Sequence, residues 1–277
     1  MNNLHRHLAP ISSSAWAQIE EEAARTIRRH LAGRRIVDTS EPKGEAFSGV
    51  GTGRTRQITS PGEGIEVTQR EVLPLVELRV PFTLSRTEID AVERGSLDSD
   101  WQPVKDAARK IAFAEDRAIF DGYAAAAMQG IRQSTSNTHL KLPVSAKDYP
   151  RVIADALGAL RLAGVNGPYS IVLGTKAYEV ISSGDDEGYP VRKHIESLID
   201  GKLIWAPAIE GAFVVSTRGG DLALDIGQDF SIGYLAHTAQ TVDLYLQESF
   251  VFRALTSEAT VVLDPTTNET DLAKEPA

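Results

Sequence analysis

PLVELRVPFTLSRTEIDAVERG, residues 74–95, leads directly into the longest helical pattern of the chain, in residues 102–130. Apolar residues recur there at helical spacing: they are Val104, Ala108, Ile111, Ala112, Ala118, Ile119 and Tyr123. At 1.5 Å per residue the pattern predicts a helix of roughly 40 Å, long enough to be a spine for the whole chain. Residues 222–263 alternate in strand fashion, and we predict that they pair with the segment before this helix.

Composition and charge exclude several classes of function. The 277 residues are 42% apolar, enough to bury the core of one large domain or two ordinary ones. The formal charge of -9 argues against a tight nucleic-acid binder, because phosphate neutralisation needs a basic face. The sequence contains no cysteine, which excludes disulfides and suits a reducing cytoplasm. No run of about 20 apolar residues is present to span a bilayer, so we expect a soluble, cytoplasmic protein.

The N-terminal third combines an amphipathic helix with a polar arm. The spacing predicts a helix over residues 14–32, with its apolar face formed by Trp16, Ile19, Ala23, Ile27 and Leu31. Residues 34–38 are predicted as a short extended piece, in which alternation places Arg34, Ile36 and Asp38 on one face. Residues 41–69 are rich in Gly, Thr, Ser and Pro, with strand signals at 54–58 and 65–70. We expect a protruding hairpin arm there, which gains its order from a neighbouring copy.

The remaining sequence makes the fold class α+β. Residues 150–216 alternate between helix and strand patterns and indicate a second compact region. The tail, residues 264–277, has a single large apolar residue, Leu272, and is predicted to be a disordered appendage.

Sequence motifs for catalysis are missing. No Walker loop, HExxH or GxSxG pattern occurs, and the six histidines are scattered. Gly49, Gly51 and Gly53 lack the strand, helix and third glycine of a dinucleotide fingerprint, so they predict a flexible loop. Paired carboxylates such as Glu115 and Asp116 are assigned to solvated, charged helix faces. We therefore predict no catalytic residue and no metal site, and only a site assembled by the tertiary fold stays open.

Other stretches accompany residues 74–95 along the chain: MNNLHR and LAP near the start, STRGGD at 216–221, GQDFSIGY at 227–234 and LYLQESF at 244–250. Together they resemble type 1 encapsulin shell proteins of the linocin-like, actinobacterial kind. The resemblance implies the HK97-type phage capsid fold, with a spine helix, an axial domain and an extended loop. It divides the chain into residues 1–40 (N-terminal lumenal helix and start of the peripheral domain), 41–73 (extended loop), 74–134 (peripheral domain with the spine helix), 135–221 (axial domain), 222–263 (return strands of the peripheral domain) and 264–277 (tail).

The function that the resemblance implies is assembly rather than catalysis. Encapsulin shell proteins self-assemble into hollow icosahedral nanocompartments, here expected to hold about 60 copies, and enclose a cargo enzyme through its C-terminal targeting peptide. The N-terminus favours a dye-decolorising peroxidase as cargo, with a ferritin-like protein second; neither a nucleic acid nor a membrane is an expected partner. The alternatives are a phage major capsid protein and, from older labels of the family, a peptidase or bacteriocin.

The resemblance also bears on cofactors. Some encapsulins bind flavin through an aromatic residue just after the Phe-Thr-Leu motif. This chain has Ser85, Arg86 and Thr87 at those positions, so we expect no cofactor.

One group of residues, here called the cargo-peptide patch, lines the lumen in the family and receives the targeting peptide. By that resemblance it comprises Leu31, Arg34, Ile36, Asp38, Phe230, Ile232 and Tyr234. Its apolar side chains can bury peptide side chains, while one cation and one anion can fix the direction of the peptide. The open alternative is ordinary core packing, with a structural pair between Arg34 and Asp38.

A second group, here called the acidic segment, comprises Asp185, Asp186 and Glu187. Gly184, Gly188 and Pro190 around it predict a loop. In encapsulins this position forms the opening at the five-fold axis, so symmetry would multiply the carboxylates into acidic rings. The alternative is a solvated loop that happens to be acidic.

Overall fold

The computed structural model describes residues 3–266, which divide into two compact units. The first unit is drawn from Met1–Thr26, Thr39–Ile111 and Leu224–Val251, and the second from Ile27–Asp38, Ala112–Ala223 and Phe252–Ala277. Each unit therefore combines three separate stretches of sequence. From position 267 onward, the tail predicted to be disordered lies outside the described residues.

The α-helices of the described residues are α1 (Ser13–His30), α2 (Arg86–Glu93), α3 (Gln102–Phe120), α4 (Ile131–Ser134), α5 (Tyr149–Leu162), α6 (Thr175–Ser183) and α7 (Val191–Leu198). The first of these confirms the helix predicted over residues 14–32. Its apolar face is buried as the spacing indicates, apart from Trp16, which is partly exposed.

The predicted spine helix is shorter than expected. It ends at Phe120 rather than at residue 130, and its 19 residues span about 28 Å. Gly122 explains the end, because its φ of 78° lies in the left-handed region that terminates helices. A Cβ at Gly122 would lie 2.8 Å from the amide nitrogen of Gly130, so only glycine lets the chain fold back this closely.

The strands are, in order from β1 to β14, Asp38–Thr39, Gly49–Gln57, Thr68–Pro74, Val76–Ser85, Leu140–Lys141, Tyr169–Leu173, Asp185–Asp186, Tyr189–Pro190, Leu203–Trp205, Ala212–Ser216, Leu222–Ile226, Ser231–His237, Thr241–Ala254 and Thr260–Asp264. They form two five-stranded sheets and two hairpins. One five-stranded sheet has the order β1-β11-β13-β12, and β4 also pairs with β13.

The long strand β13 organises the first unit. Strand β4 lies antiparallel to it, with Phe82 opposite Leu244 and Leu84 opposite Val242. These four side chains are buried, which for each is worth about 1.5–3 kcal/mol relative to an exposed position. The prediction that residues 222–263 pair with the segment before the long helix is thus confirmed for β13, whereas β14 pairs with β10 and β5 in the sheet of the second unit.

The polar region between residues 41 and 74 forms the predicted arm. β2 and β3 pair only with each other in an antiparallel hairpin, from Gly49 opposite Pro74 to Gln57 opposite Thr68. Most of their side chains are exposed. At the base of the arm the Nζ of Lys43 lies 2.6 Å from the buried carboxylate of Asp225, which ties this polar segment to its own unit.

The second unit contains a sheet of order β5-β14-β10-β6-β9. Its inner strands β6 and β10 are buried at every residue, which explains why YSIVL and AFVVS are apolar without alternation. Helices α5, α6 and α7 contribute apolar side chains to the same core, among them Ile153, Ile181 and Ile195. This packing positions the loops and turns described next.

Candidate functional site

The chain turns immediately after α1, so the extended piece predicted over residues 34–38 is wrong in its first half. Gly33–Arg35 is a 3-10 helix, in which the amide of Ile36 donates to the carbonyl of Gly33 at 2.9 Å. Strand alternation therefore does not apply to Arg34 and Ile36. Gly33 is confined by its surroundings, because a Cβ there would lie 2.6 Å from the Cδ1 of Ile119.

The side chain of Asp116 on α3 holds this turn in place. Its carboxylate accepts hydrogen bonds from the amides of Ala32 at 2.9 Å and Gly33 at 2.8 Å. Burial raises the pKa of the Asp116 carboxyl to about 7, against the lowering effect of the bonds from Gly33 and Ala32. A buried group from a distant part of the chain thus determines the local conformation.

Arg34 is fixed by the neighbouring carboxylate on the same helix. Its Nε lies 2.9 Å from Oε1 of Glu115 and its Nη2 lies 2.6 Å from Oε2, a two-point contact. The prediction that Glu115 and Asp116 lie on a solvated face is wrong, because both side chains are fully buried. A signal was present in the sequence: both residues lie within one helical turn of Ile119, on its apolar stripe.

Four members of the cargo-peptide patch belong to the second unit. Leu31 and Ile36 are buried, at 7% and 6% exposure, so they contribute to the core of the single chain. Arg34 is partly exposed and Asp38 is exposed. The Asp38 carboxylate accepts a hydrogen bond from the amide of Gly220 at 2.5 Å, beside a small cavity of about 170 Å³.

The other three members belong to the first unit and lie on or next to β12. Ile232 is buried, whereas Phe230 and Tyr234 are only partly buried. Phe230 precedes the strand, which begins at Ser231. The Tyr234 hydroxyl lies 2.6 Å from Nδ1 of His237, so its ring is anchored at the polar end.

The acidic segment forms a tight hairpin rather than an irregular loop. β7 and β8 pair around Glu187 and Gly188, whose φ values of 50° and 85° correspond to a two-residue turn of the hairpin-forming kind. The amide of Gly188 donates to Oδ2 of Asp185 at 3.2 Å. All three acidic side chains, Asp185, Asp186 and Glu187, are exposed to solvent.

Two further classes of site were sought in the described part of the chain. Within residues 3–266 no group of three or more His, Asp or Glu side chains is placed to hold a metal ion. No helix in that range is long and apolar enough to cross a membrane.

Comparison with known proteins gives matches over nearly the whole chain. A family model described as encapsulating protein for peroxidase matches residues 1–251. The type 1 encapsulin shell protein of Rhodococcus erythropolis is 58% identical over 263 residues, covering 95% of this chain and 100% of that protein. Its counterpart from Mycobacterium tuberculosis is 56% identical over 263 residues, covering 95% and 99%.

Solved structures agree at the level of the fold. A virus-like particle from Pyrococcus furiosus superposes with a TM-score of 0.62 at 17% identity, covering 90% of this chain and 99% of that one. The capsid of Myoviridae Phage XM1 gives a TM-score of 0.54 at 10% identity, covering 83% and 90%. The predicted HK97-type phage capsid fold, of α+β class, is thereby confirmed. By sequence and by fold, the chain belongs to the type 1 encapsulin shell proteins, structural proteins that build a capsid-like particle.

Proposed function

We propose that this shell protein forms a cytoplasmic icosahedral nanocompartment of about 60 copies that encloses a cargo enzyme by holding the C-terminal targeting peptide of that enzyme. A dye-decolorising peroxidase is the proposed cargo, ahead of a ferritin-like protein. The match to a family described by its encapsulation of a peroxidase favours this order. The shell chain itself is proposed to have a structural role without catalysis.

The observation that carries the proposal is the partial exposure of Phe230 and Tyr234. Aromatic side chains bury large apolar areas when a partner covers them, and two rotatable bonds make them inexpensive to order. Ile232 lies between them in sequence and is buried. A short apolar peptide laid over β12 would remove both aromatic rings from water.

The members of the cargo-peptide patch differ in burial, and we assign them two different roles on that basis. Phe230, Tyr234, Arg34 and Asp38 keep accessible surface and are proposed to contact the peptide. Leu31, Ile36 and Ile232 are buried and are proposed to hold the contacting residues in position. In the first unit the two aromatic rings would bury apolar side chains of a peptide, and in the second unit the charges of Arg34 and Asp38 would fix the direction of a bound segment.

A change on β12 tests this assignment. Tyr234→Asp puts a charge into the apolar contact and should reduce cargo co-purification at least about tenfold, because burying an unpaired charge is costly. Shell yield and particle size should stay unchanged, since Tyr234 is only partly buried. The matched control is Leu235→Asp at the next residue of the same strand, which is exposed and lies in the β-bulge between Tyr234 and Ala236.

The outcome separates binding from folding. Loss of cargo in the Tyr234 variant alone supports the patch, whereas normal loading of that variant means that the peptide binds elsewhere. Equal loss in both variants would indicate damage to β12 rather than to a binding surface.

The acidic segment is proposed to surround the opening at the five-fold axis. Its carboxylates are exposed and stand on a short hairpin, a shape that can project toward a symmetry axis. Repetition around that axis would concentrate cations and repel anions in the opening.

A further inference from the structure

A cavity of about 430 Å³ lies within the second unit and has no part in the proposed shell function. Its volume falls in the range of about 300–1,000 Å³ that is typical of small-molecule sites. The wall combines residues 142–144, the start of α6, residues 207–211 and residues 265–266, together with the side chains of Arg117 and Tyr149. Four segments and two further side chains thus converge on one space.

The hydroxyl of Tyr149 is the first indication of a ligand. The residue is only 4% exposed, and within residues 3–266 the hydroxyl has no hydrogen-bond partner. The hydroxyl oxygen is not fully enclosed by protein and keeps contact with open space. Tyr149 is one of the residues that line the cavity. The hydroxyl can therefore donate to water or to an acceptor on a ligand that enters the cavity.

The charge of the cavity wall is the second indication. Arg117 and Lys176 both line it, and neither has an ion-pair partner in the described part of the chain. The Nε of Arg117 donates to the carbonyl of Ala208 at 3.1 Å, which orients the guanidinium. With Glu210 as the acidic member of the wall, the lining carries a net positive charge in a chain whose formal charge is -9.

Helix α6 begins at the same cavity. Its N-cap is Gly174, which makes no side-chain capping bond, so the first amides of the helix stay available to an anion. Gly174 packs tightly, because a Cβ there would lie 2.5 Å from the carbonyl oxygen of Ile209. The polar end of the cavity is therefore held by close backbone packing.

The wall also has an apolar part. It includes Leu142, Val144, Val180 and Ile209. Val144 is largely exposed, at 71%, and gains cover only if something fills the space beside it.

We propose that this cavity binds a small organic carboxylate with an apolar body. The carboxylate lies between Arg117, Lys176 and the first turn of α6, and the body packs on Leu142, Val144 and Val180. The Tyr149 hydroxyl donates to an oxygen of the ligand. The site is distinct from the cargo-peptide patch and from the acidic segment, none of whose residues line the cavity.

Calorimetry on assembled, full-length shells with 4-phenylbutyrate as the probe tests the proposal. The neutral analogue 4-phenylbutan-1-ol has the same body without the charge, and we expect it to bind at least about tenfold more weakly. Lys176→Gln should weaken binding of the acid by about tenfold, whereas Lys202→Gln, an exposed lysine outside the cavity, should not. Tyr149→Phe should weaken it by up to about tenfold through loss of one hydrogen bond.

Three results would overturn the proposal. The first is the absence of saturable binding of the acid up to roughly 10 mM. The second is equal binding of acid and alcohol that Lys176→Gln leaves unchanged. The third is binding only to a chain ending at Thr266, which would assign the cavity to residues 267–277 of the chain itself. Particle size is checked for each variant, and Lys176→Gln, a change of an exposed side chain, keeps the test valid if Tyr149→Phe fails to assemble.

Discussion

The guanidinium of Arg34 pairs with the carboxylate of Glu115, a side chain with no exposed surface, at 2.6 Å between Nη2 and Oε2. The Arg34 side chain is itself 18% exposed, so a surface cation is held by a buried anion. This pairing fixes the orientation of the guanidinium, which would lower the entropy lost if the proposed peptide binds there. The structural pair considered from the sequence was Arg34 with Asp38, whereas Glu115 lies 81 residues away.

Removing Arg34 is expected to destabilise the second unit strongly. Arg34→Ala leaves the Glu115 carboxylate buried without its cation, a change that costs about 3–5 kcal/mol. We expect a clear fall in the urea midpoint of unfolding. The control is Arg35→Ala, whose exposed guanidinium donates to the carbonyl of Arg28 at 2.9 Å and makes no ion pair with a buried carboxylate of the described residues. Equal midpoints for the two variants would contradict this role of the pair.

Asp116 should make stability decline as the pH rises from about 4 to about 8. Burial raises the pKa of its carboxyl from 3.8 to about 7, while Glu115 raises it and Arg35 lowers it to smaller extents. The folded state therefore binds the proton more tightly than the unfolded chain. Its favourable contribution is complete at pH values below 3.8 and is lost as the pH rises through about 7.

The Asp116→Asn variant isolates this effect, because asparagine does not ionise. The free energy of unfolding is obtained from urea midpoints at about pH 5 and pH 8. Its change between the two pH values should be smaller in the variant than in the wild type, by on the order of a few kcal/mol. The substitution also alters hydrogen bonds, and this changes stability by a similar amount at both pH values. Comparing the pH dependence of the two proteins therefore removes that contribution. Parallel pH profiles for the two proteins would show that Asp116 is ionised throughout.

Neutralising the acidic segment should change what enters the particle. The variant carries Asp185→Asn, Asp186→Asn and Glu187→Gln, and asparagine at 185 retains an oxygen for the amide of Gly188. Entry of small cations should slow and entry of small anions should speed up, and the difference should shrink as salt shortens the Debye length. Stopped-flow quenching of a fluorophore trapped in the lumen measures both rates.

A matched control removes the same number of charges elsewhere. Asp148→Asn, Asp155→Asn and Glu179→Gln alter exposed carboxylates of the same unit outside the acidic segment. If this control and the triple variant change entry equally, the effect comes from net charge. If neither differs from the wild type at low salt, exchange occurs through other openings.

Elements of the fold could be predicted from the sequence where the local residue pattern agrees with the burial of the side chains. Alternation in residues 222–263 predicted strands, and β13 pairs with β4 as expected. Burial alternates along β4, whereas β13 is buried on both faces in its middle. The arm was predictable from its Gly, Thr and Ser content, since a hairpin with exposed side chains needs no apolar periodicity. Gly122 was a visible stop signal, but the apolar spacing continued beyond it to Tyr123.

Tertiary contacts set the features that the sequence could not predict. The turn at Gly33–Arg35 depends on Asp116, which lies 83 residues beyond Gly33. The burial of Leu31 and Ile36 depends in the same way on packing that no local pattern records. The cargo-peptide patch was identified through resemblance, because alternation groups residues within each of its two stretches but does not connect the two stretches with each other.

Light scattering after size-exclusion chromatography tests the central claim, assembly into a closed shell, most directly. A particle of about 60 chains of 30.0 kDa should elute as one species of roughly 1.8 MDa. A stable species at 30.0 kDa, at protein concentrations that normally support assembly, would contradict a shell-forming role for this chain.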